Sequence, residues 1–466
     1  MGQQTGADEA TTSGPAKPSA AVFATFFASH PVGFWFIFWG ELAERCSYYG
    51  MRAILFRYMA EQLGLGDAVA SMGNSYFIAA CYLLCLLGGY VADNFFGKYW
   101  TIVGFCVPYI LGHVILGYES VPFLITALAF LAMGSGVIKP NISTLMGMTY
   151  DQQRPGREKL RSDAFAMFYG AINVGAALSS FAMPEIRDRY GYRIAFLFPA
   201  ALMVVAFAIF AFGKRYYAVE VISRRHKSPQ ERQQQWVVLG RIIGLFVVVS
   251  FFWSIFDQGS STWVLFARDH MNLDFYGIHT FPPDQLQSLN PVLIILFLAP
   301  VTMLWHAFAN RGLKLRPTDK MMIGFIVTAG TMGLMCAAGF LARTGRVSIW
   351  WEIMAYILIT IAEICISVVG LELAFAAAPK ALKSFVTGCW WVTVFAGNIL
   401  NAQITPLYTR MDPGHYFGML TVMMLPVSVV FFLVARRFNR KVAAWEAEAA
   451  AWEAARAANQ IPPGNA

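Results

Sequence analysis

Apolar segments of about 20 residues recur along nearly the whole chain and alternate with short polar segments. Each segment is long enough to cross a bilayer as an α-helix. The segments are continuous and lack the alternation of apolar and polar positions that a transmembrane β-barrel shows. The pattern therefore predicts an all-α integral membrane protein. The twelve predicted spans lie near residues 31–60, 69–92, 98–118, 121–148, 163–184, 193–213, 236–268, 289–310, 319–342, 348–378, 384–408 and 416–438.

A polar, basic segment between the sixth and seventh spans reads "GKRYYAVEVISRRHKSPQERQQQ". It divides the chain into two halves of six spans, an arrangement typical of transporters whose substrate site lies between two bundles near the membrane midplane. The predicted domains follow from this division. They are a disordered N-terminal tail (1–30), an N-terminal six-helix bundle (31–213), a linker (214–235), a C-terminal six-helix bundle (236–439) and a helical tail (440–466).

Composition and charge agree with a membrane location. Hydrophobic residues make up 57% of the chain and charged residues 13%, about half the ordinary charged share. The net charge of +8 comes from Lys and Arg residues that collect in short loops, which indicates membrane orientation and not nucleic-acid binding. Most of these loops fall on one side, and the basic segment 185–193 is an exception. We therefore predict a multi-pass cell-membrane protein with both termini in the cytoplasm.

Four ionisable residues interrupt the first span, in the stretch "GELAERCSYYGMR". On a helix, Glu41, Arg45, Tyr48 and Arg52 share one face, and Glu44 flanks it. Unpaired charges in the hydrocarbon core would each be destabilising by several kcal/mol. The stripe therefore predicts that this face meets a water-filled cavity or charged partners on other spans.

Charges on other spans supply candidate partners. Counting along each span places Arg52 at the same depth as Asp257, and Glu41 and Glu44 at the depth of Lys139. A contact between Arg52 and Asp257 would join the two halves and could act as a gate. Static ion pairs that fix helix register are the alternative, and for any single pair this interpretation is about as good.

The tenth span carries two carboxylates, Glu363 and Glu372, on opposite helix faces, and Glu363 is the better candidate for a cavity residue. Aromatic and amide side chains accompany the charges. Taken alone, each of these would be an interfacial or packing residue. The group consists of Tyr48, Tyr49, Tyr82, Trp253, Trp390, Asn173 and Asn290.

A second motif, "GGYVADNFFGKYWT", follows the second span at a predicted cytoplasmic loop. Gly89 and Gly97 would allow close helix approach, and Asp93 could accept hydrogen bonds from a neighbouring helix N-terminus. Together with Lys98, these residues predict a gating hinge and not a substrate site.

Several stretches together resemble the proton-dependent oligopeptide transporter (POT/PTR) family of the major facilitator superfamily. The first-span signature ExxERFxYYG is present with Cys46 in place of Phe. The other stretches, which span most of the chain in the family's order, are "GGYVADNFFGKYWTI", "GSGVIKPNIS", "FYGAINVG", "FWSIFDQGSSTW", "QSLNP", "AEICISVVGLELAFAAAPKALKS" and "GNILNA".

The resemblance implies the major facilitator fold, with twelve helices in two six-helix bundles around a central cavity, and proton-coupled import of di- and tripeptides. It implies that Arg45 and Lys139 receive the peptide carboxylate, and that Glu363 receives the amino group with Asn173 and Asn290. The implied cavity walls are Tyr48, Tyr49, Tyr82, Trp253 and Trp390.

The resemblance also implies which residues carry protons and which form the outer gate. Glu41, Glu44 and Glu363 would carry protons, and Arg52 with Asp257 would form the outer gate. Animal relatives carry a His on the second span where this chain has Ser75, so proton coupling is expected to rest on carboxylates.

Other functions remain open at this point. The chain could carry another small solute, such as an amino acid derivative or nitrate, or could sense peptides without transporting them. An enzyme is disfavoured, because the sequence contains neither a nucleotide-binding GxxxxGK[ST] loop nor an HExxH metal motif. We expect no metal and no cofactor, a proton gradient as the energy source, no nucleic-acid partner, and a functional monomer.

Overall fold

A computed structural model describes the fold over residues 29–220, 229–313, 315–370, 373 and 383–459. Almost all of these residues are helical. In chain order the helices are α1 Val32–Arg57, α2 Asp67–Val91, α3 Gly97–Leu116, α4 Val121–Gln153, α5 Glu158–Phe212, α6 Pro229–Phe256, α7 Thr262–His270, α8 Leu289–Asn310, α9 Pro317–Leu341, α10 Trp350–Glu363, α11 Lys383–Ile404 and α12 Pro413–Asn459.

Short turns and strands connect these helices. In the part of the chain that the structure describes, the π-helical segments are Tyr58–Gln62, Ala92–Phe96 and Ile364–Val368, and the 3-10 turns are Gly213–Tyr216, Asp257–Ser260, Pro283–Ser288 and Thr405–Arg410. The strands have two residues each: β1 Met271–Asn272, β2 Asp274–Phe275, β3 His279–Thr280 and β4 Val347–Ser348. Strand β1 pairs in parallel with β4, and β2 pairs antiparallel with β3.

Helix α5 contains two of the predicted spans. It has 55 residues, and its backbone leaves the helical conformation at Gly191, where φ is 80° and ψ is 168°. A positive φ of this size favours glycine, which has no Cβ to clash. The break falls between the predicted spans 163–184 and 193–213, so the two apolar segments form two crossings joined at a glycine.

Within the described residues, eight helical stretches are long and apolar enough to cross a membrane. Asp67–Leu116 and Glu158–Tyr216 have 50 and 59 residues, and each is long enough to cross twice, because one crossing needs about 20 residues. Helix α1 has 26 residues and is long enough to cross the membrane. It is not among these eight stretches, because the ionisable residues in its middle make it less apolar. Residues 371–372 and 374–382 lie outside the described residues, so the count of twelve spans stays a prediction, and Glu372 cannot be placed.

Helices pack both within each half of the chain and between the halves. In the N-terminal half α1 packs mainly on α5 and α3 on α4, and in the C-terminal half α9 packs on α12 and α6 on α11. The two halves meet where α2 packs on α11 and α5 on α8. Close approach is visible at Gly175 of α5, where a Cβ atom would lie 3.0 Å from the carbonyl oxygen of Leu42 on α1.

The two membrane faces are named here by one residue each. The Asp284 face contains the connections 117–120 and 271–288, and the Arg154 face contains the connections 154–157 and 213–220. The hydrogen bonds and ion pairs that are seen between described residues of the two halves lie in the part of the membrane nearest the Asp284 face. The two halves are therefore joined by polar contacts on that side.

Candidate functional site

A three-residue charge cluster lies in the middle of α1. The Nε atom of Arg45 donates to Oε1 of Glu41 at 2.7 Å and lies 2.9 Å from Oε2 of Glu44. The exposed fractions of the three side chains are 2%, 1% and 0%. The spacing explains the Glu41 contact, because residues four apart stack on one helix face. The buried guanidinium of Arg45 thus forms ion pairs with two carboxylates.

Lys139 of α4 does not make the ion pair with Glu41 or Glu44 that depth alone predicts. Its ammonium instead lies 5.0 Å from the ring centre of Tyr48 and 4.5 Å from that of Tyr82. A cation over an aromatic face is a stabilising arrangement. The reason for the difference is local. Arg45, one turn after Glu41 and next to Glu44 in the sequence, already pairs with both carboxylates.

Arg52 and Asp257 contact each other across the two halves. Nη2 of Arg52 lies 2.5 Å from Oδ1 of Asp257, and Asn398 of α11 donates to Oδ2 at 2.7 Å. Asp257 is the first residue of the 3-10 turn that follows α6. Both oxygens of the carboxylate therefore have a partner, one from each half.

A carboxylate in the C-terminal half forms a second polar group. Nδ2 of Asn290 on α8 donates to Oε2 of Glu363 at 2.8 Å and to the hydroxyl oxygen of Thr360 at 3.1 Å. Glu363 is half-buried and ends α10. It lies close enough to Tyr169 of α5 to act on it electrostatically, so this end of α10 faces the N-terminal half.

The predicted wall residues separate into two groups. Tyr48 and Tyr82 lie next to Lys139, and the ring of Tyr82 stacks on Trp391 of the opposite half with centres 5.5 Å apart. The ring of Tyr49 packs edge-on against that of Tyr48, with centres 5.2 Å apart.

The two predicted tryptophans lie inside the C-terminal half. Trp253 donates to the hydroxyl of Thr393 at 3.1 Å, and Trp390 is buried against Phe246 and Gly370. The sequence did not single out Trp391, although it adjoins Trp390 and points to another helix face.

Asn173 bonds within its own helix. Its Nδ2 donates to the carbonyl oxygen of Tyr169 at 3.0 Å, whereas Asn290 reaches Glu363 directly. Tyr169 is a further residue near Glu363, and the sequence motifs did not indicate it. Its spacing was the available signal, because it precedes Asn173 by four residues and therefore shares its helix face.

The glycine-rich loop motif differs from its prediction at two positions. A Cβ on Gly88 would lie 2.5 Å from the Cα of Val137, whereas a Cβ on Gly89 would meet nothing within 4 Å. The close approach of α2 to α4 therefore occurs at Gly88 and not at Gly89. Gly97 has a φ of 77°, a conformation that favours glycine.

Asp93 pairs with Lys98 of the same loop and does not cap a neighbouring helix. The capping residue at this loop is Glu220, which follows the sixth span. Its two carboxylate oxygens accept from the backbone N–H groups of Lys98 at 2.6 Å and Tyr99 at 3.0 Å. This carboxylate satisfies donors that have no partner inside helix α3.

Replacing Glu220 by Ala is expected to lower the free energy of unfolding by about 1 kcal/mol, the ordinary contribution of a helix N-cap. The measurement is thermal unfolding in detergent followed by tryptophan fluorescence. Glu158→Ala, in the exposed first turn of α5, is the control. Equal melting temperatures for the two variants would mean that the cap does not stabilise the fold.

Among the described residues, no group of three or more His, Cys, Asp or Glu side chains could hold a metal ion. Cations and aromatic rings lie in one half, and a carboxylate with an amide lies in the other.

Comparison with known proteins gives the family. The family model described as "POT family" matches residues 99–225 and 218–423, which together are more than half of the chain. The chain belongs to the POT family. It is therefore a multi-pass membrane transporter with the major facilitator fold, as the sequence predicted. Among curated POT relatives, dipeptide and tripeptide permease A of Klebsiella pneumoniae is 26% identical over 91% of this chain and 95% of its own length.

Two further curated relatives match over different shares of their lengths. The uncharacterized transporter YclF of Bacillus subtilis is 24% identical over 89% of this chain and 95% of its own. Solute carrier family 15 member 2 of Danio rerio is 31% identical over 65% of this chain and 48% of its own. Among solved structures, the POT family transporter PepTSo has a TM-score of 0.79 and 28% identity, covering 88% of this chain and 99% of its own.

A crystal structure of a peptide transporter POT in complex with sulfate is also similar. It has a TM-score of 0.80 and 25% identity, and the match covers 89% of this chain and 96% of its own. The matches extend over both halves, so the likeness concerns the whole arrangement of helices and not one bundle.

Proposed function

We propose that this POT-family protein is a proton-coupled symporter that imports di- and tripeptides by alternating access. The observation that carries the proposal is the separation of opposite charges between the halves. Lys139 lies among aromatic rings in the N-terminal half, and Glu363 with Asn290 lies in the C-terminal half. A zwitterionic peptide needs a cationic partner for its carboxylate and an anionic partner for its amino group, several ångströms apart in a poorly hydrated site.

In this proposal Arg45 and Lys139 receive the carboxylate, and Glu363 receives the amino group. Of the predicted wall residues, the tyrosines near Lys139 (Tyr48, Tyr49 and Tyr82) would accommodate different peptide side chains, because aromatic rings provide large contact area without a fixed hydrogen-bond pattern. The curated relative from Klebsiella is named a dipeptide and tripeptide permease, which supports this substrate class.

We further propose that the Asp284 face is extracellular and both termini are cytoplasmic. The polar contacts between the halves are then on the outer side, with Arg52 and Asp257 as part of the gate. This arrangement corresponds to a conformation closed to the outside. We also propose that the protein acts as a monomer in the cell membrane and uses no cofactor.

A proton gradient is sufficient as the energy source. One proton that crosses a potential of about 100 mV releases about 2.3 kcal/mol, and each pH unit adds about 1.4 kcal/mol. Since 1.4 kcal/mol corresponds to a tenfold ratio, the two together support an accumulation of about 500-fold for a neutral peptide.

The test is uptake of labelled dialanine by proteoliposomes with an inward proton gradient. Uptake should exceed that of vesicles without a gradient and should fall when an uncoupler is added. Unlabelled di- and tripeptides should compete at both pH 6 and pH 7.5, and tetrapeptides should not. Competition by nitrate or a single amino acid derivative without competition by dipeptides would contradict the substrate class. Binding without accumulation would contradict transport.

Replacing Glu44 by Gln should abolish gradient-driven accumulation of dialanine while exchange of dialanine across the membrane persists. Glu44 shares Arg45 with Glu41, and a neutral amide can neither take up nor release the coupling proton. The measurements are net uptake and counterflow in the same vesicles, with Glu158→Gln as the exposed control. Concentrative uptake by the Glu44 variant would show that this carboxylate is not required for coupling.

A further inference from the structure

A carboxyl group in the C-terminal half is buried without a cation from the described part of the chain. It belongs to Glu352, in the first turn of α10. Strand β4 lies just before α10 and pairs with β1, so this turn is at the Asp284 face. The side chain is 0% exposed, and neither oxygen has a hydrogen-bond partner among the described residues. Glu352 thus differs from Glu41, Glu44 and Asp257, each of which pairs with an arginine.

Aromatic side chains lie next to this carboxyl group. Tyr356 follows Glu352 by one helical turn, and Tyr408 belongs to the turn Thr405–Arg410; Glu352 is close enough to act on both electrostatically. Trp263 of α7 packs edge-on against Tyr356, with ring centres 5.0 Å apart. The indole nitrogen of Trp263 and the hydroxyl of Tyr408 are also buried without a described hydrogen-bond partner. These groups can form hydrogen bonds but carry no charge, so they do not replace a cation.

The charged side chains of the surrounding segments are paired elsewhere or remain in contact with solvent. Arg52 pairs with Asp257, Arg268 at the end of α7 pairs with Asp269, and Asp284 is bound by arginines of the N-terminal half. Helices α8 and α9, which pack on α10, have no ionisable residue in the turns nearest this face. Other ionisable residues of the adjoining segments are half-buried or exposed, namely His270, Arg343, Arg346, Arg410, Asp412 and His415.

A negative charge at this place would be strongly unfavourable. A carboxylate that leaves water needs a cation or several hydrogen-bond donors to replace its hydration. The N-terminal end of α10 attracts negative charge, but a helix end offsets only a small part of that loss. Binding one proton removes the charge and gives the group an O–H that can donate to a neighbouring oxygen. The neutral carboxylic acid is therefore the form that suits this conformation.

The carboxyl group is connected to the contacts that join the two halves. The hydroxyl of Tyr356 donates to the carbonyl oxygen of Gly259 at 3.3 Å, within the 3-10 turn Asp257–Ser260. The same turn accepts hydrogen bonds from Arg52 and Asn74 of the opposite half. Separation of the halves at this face would break these two contacts and expose the turn to water. The first turn of α10, which is joined to it through Tyr356, would then be accessible to water as well.

We propose that Glu352 is a further proton-binding site, which takes up one proton from the side of the Asp284 face when that face closes and returns it to the same side when the face opens. On closing, the carboxylate and one hydronium ion become the carboxylic acid and water, and opening reverses this step. The proton is therefore not carried across the membrane. This inference rests on the proposed alternating-access function and gives Glu352 a role different from that of Glu41, Glu44 and Glu363.

The sign of the pH effect follows from linkage. The closed conformation binds this proton more tightly than the open one, because the open one offers water to the carboxylate. Low pH on the side of the Asp284 face therefore favours closure, and high pH favours opening. A neutral residue at position 352 should remove this contribution and leave the closed form favoured at high pH.

Infrared spectroscopy of the protein in proteoliposomes tests for the proton directly. A protonated carboxyl group has a C=O stretching band that is separate from those of carboxylates and backbone amides. At about pH 6, where an exposed glutamate is ionised, the wild type should show such a band that is missing from Glu352→Gln. Glu158→Gln, in the exposed first turn of α5, should retain the band. Identical bands in the wild type and Glu352→Gln would show that Glu352 holds no proton and would overturn the inference.

Distances from pulsed electron paramagnetic resonance test the effect on closure. Spin labels at Tyr118→Cys and Thr344→Cys, with the seven native cysteines replaced, lie at exposed positions of the two halves at this face. At about pH 5, Glu352→Gln should match the wild type, because the amide and the carboxylic acid are both neutral. At about pH 8, its ratio of closed to open forms should exceed that of the wild type about tenfold or more.

Glu352→Leu is a second neutral variant and replaces Glu352→Gln if the latter does not fold. Glu158→Gln should keep the wild-type ratio at both pH values. Equal ratios at about pH 8 in the wild type and in both Glu352 variants would contradict the link between this proton and closure.

Uptake of dialanine separates this site from the coupling carboxylates. The dependence of accumulation on the proton gradient should be the same in the wild type and Glu352→Gln, because the proton returns to the side from which it came. A weaker dependence in the variant would contradict exchange with one side only. Both spectroscopic measurements use no substrate, so they can fail while peptide uptake stands. The infrared band and the distance shift without any peptide uptake would keep this proton site and contradict the proposed substrate.

Discussion

Proteoliposomes that contain Arg45→Gln should take up dialanine at least about a hundredfold more slowly than the wild type. Arg45 is the buried partner of both Glu41 and Glu44. Removing one partner of a buried ion pair is destabilising by about 3–5 kcal/mol, because the remaining charge is left without compensation. The proposed peptide site would also lose one of its two cations.

The initial rate of gradient-driven uptake is the measurement for this variant, and counterflow separates loss of binding from loss of coupling. Arg189→Gln is the matched control, since Arg189 lies on α5 with 72% of its side chain exposed. Thermal unfolding in detergent checks that Arg45→Gln still folds. Folded protein with near wild-type uptake would remove Arg45 from the proposed site.

Replacing Glu363 by Gln should raise KM for dialanine about 10- to 100-fold. The proposed bond between the carboxylate and the peptide amino group is charge-assisted, and such hydrogen bonds contribute about 1.5–3 kcal/mol. The amide of Gln keeps the size of the side chain and one acceptor for Asn290, so the change is mainly one of charge. Competition against labelled dialanine at several concentrations measures the effect.

A substrate-side control distinguishes binding from folding in this variant. N-acetyldialanine has no amino group to pair with Glu363, so its apparent affinity should change little between wild type and Glu363→Gln. A loss of equal size for both compounds would mean that Glu363 does not contact the peptide amino group. Glu158→Gln, in the exposed first turn of α5, should leave both affinities unchanged.

The polar face of α1 shows what the local sequence pattern can predict and what it cannot. Helical periodicity alone places Glu41, Arg45, Tyr48 and Arg52 on one face, and the unfavourable energy of a lone charge in lipid predicts that this face is buried in protein or water. The pattern does not select partners. Depth made Lys139 the expected partner of the glutamates, but Arg45 is bonded to them within the same helix.

Two contacts between segments distant in sequence could not be predicted, and the reason is the same for both. Glu220 caps a helix more than 120 residues earlier, and Asp284 meets Arg187 across the two halves. Neither residue lies in a recognisable motif or in an unusual position of an apolar span. A charged residue near a span end is ordinarily hydrated, so nothing local indicates that Asp284 is buried.

The sequence can also assign a packing contact to the wrong one of two neighbouring residues, because the rotation of the helix decides which of them makes the contact. Gly88 takes the close helix contact that was expected at Gly89, and Trp391 stacks on Tyr82 while Trp390 packs in the C-terminal half. Adjacent helical positions differ by about 100° around the axis. A small uncertainty in helix rotation is therefore enough to move a role from one residue to the next.

The sequence by itself determined the membrane class, the positions of most spans, the family and the need to bury the charged face of α1. These features follow from hydrophobic length and periodicity, which are local properties of the chain. The tertiary structure decided which charges meet, which aromatic rings contact the opposite half and near which membrane face the described polar contacts join the halves. Those outcomes depend on helix rotation and on approach of segments far apart in sequence, where differences of a few ångströms select one partner over another.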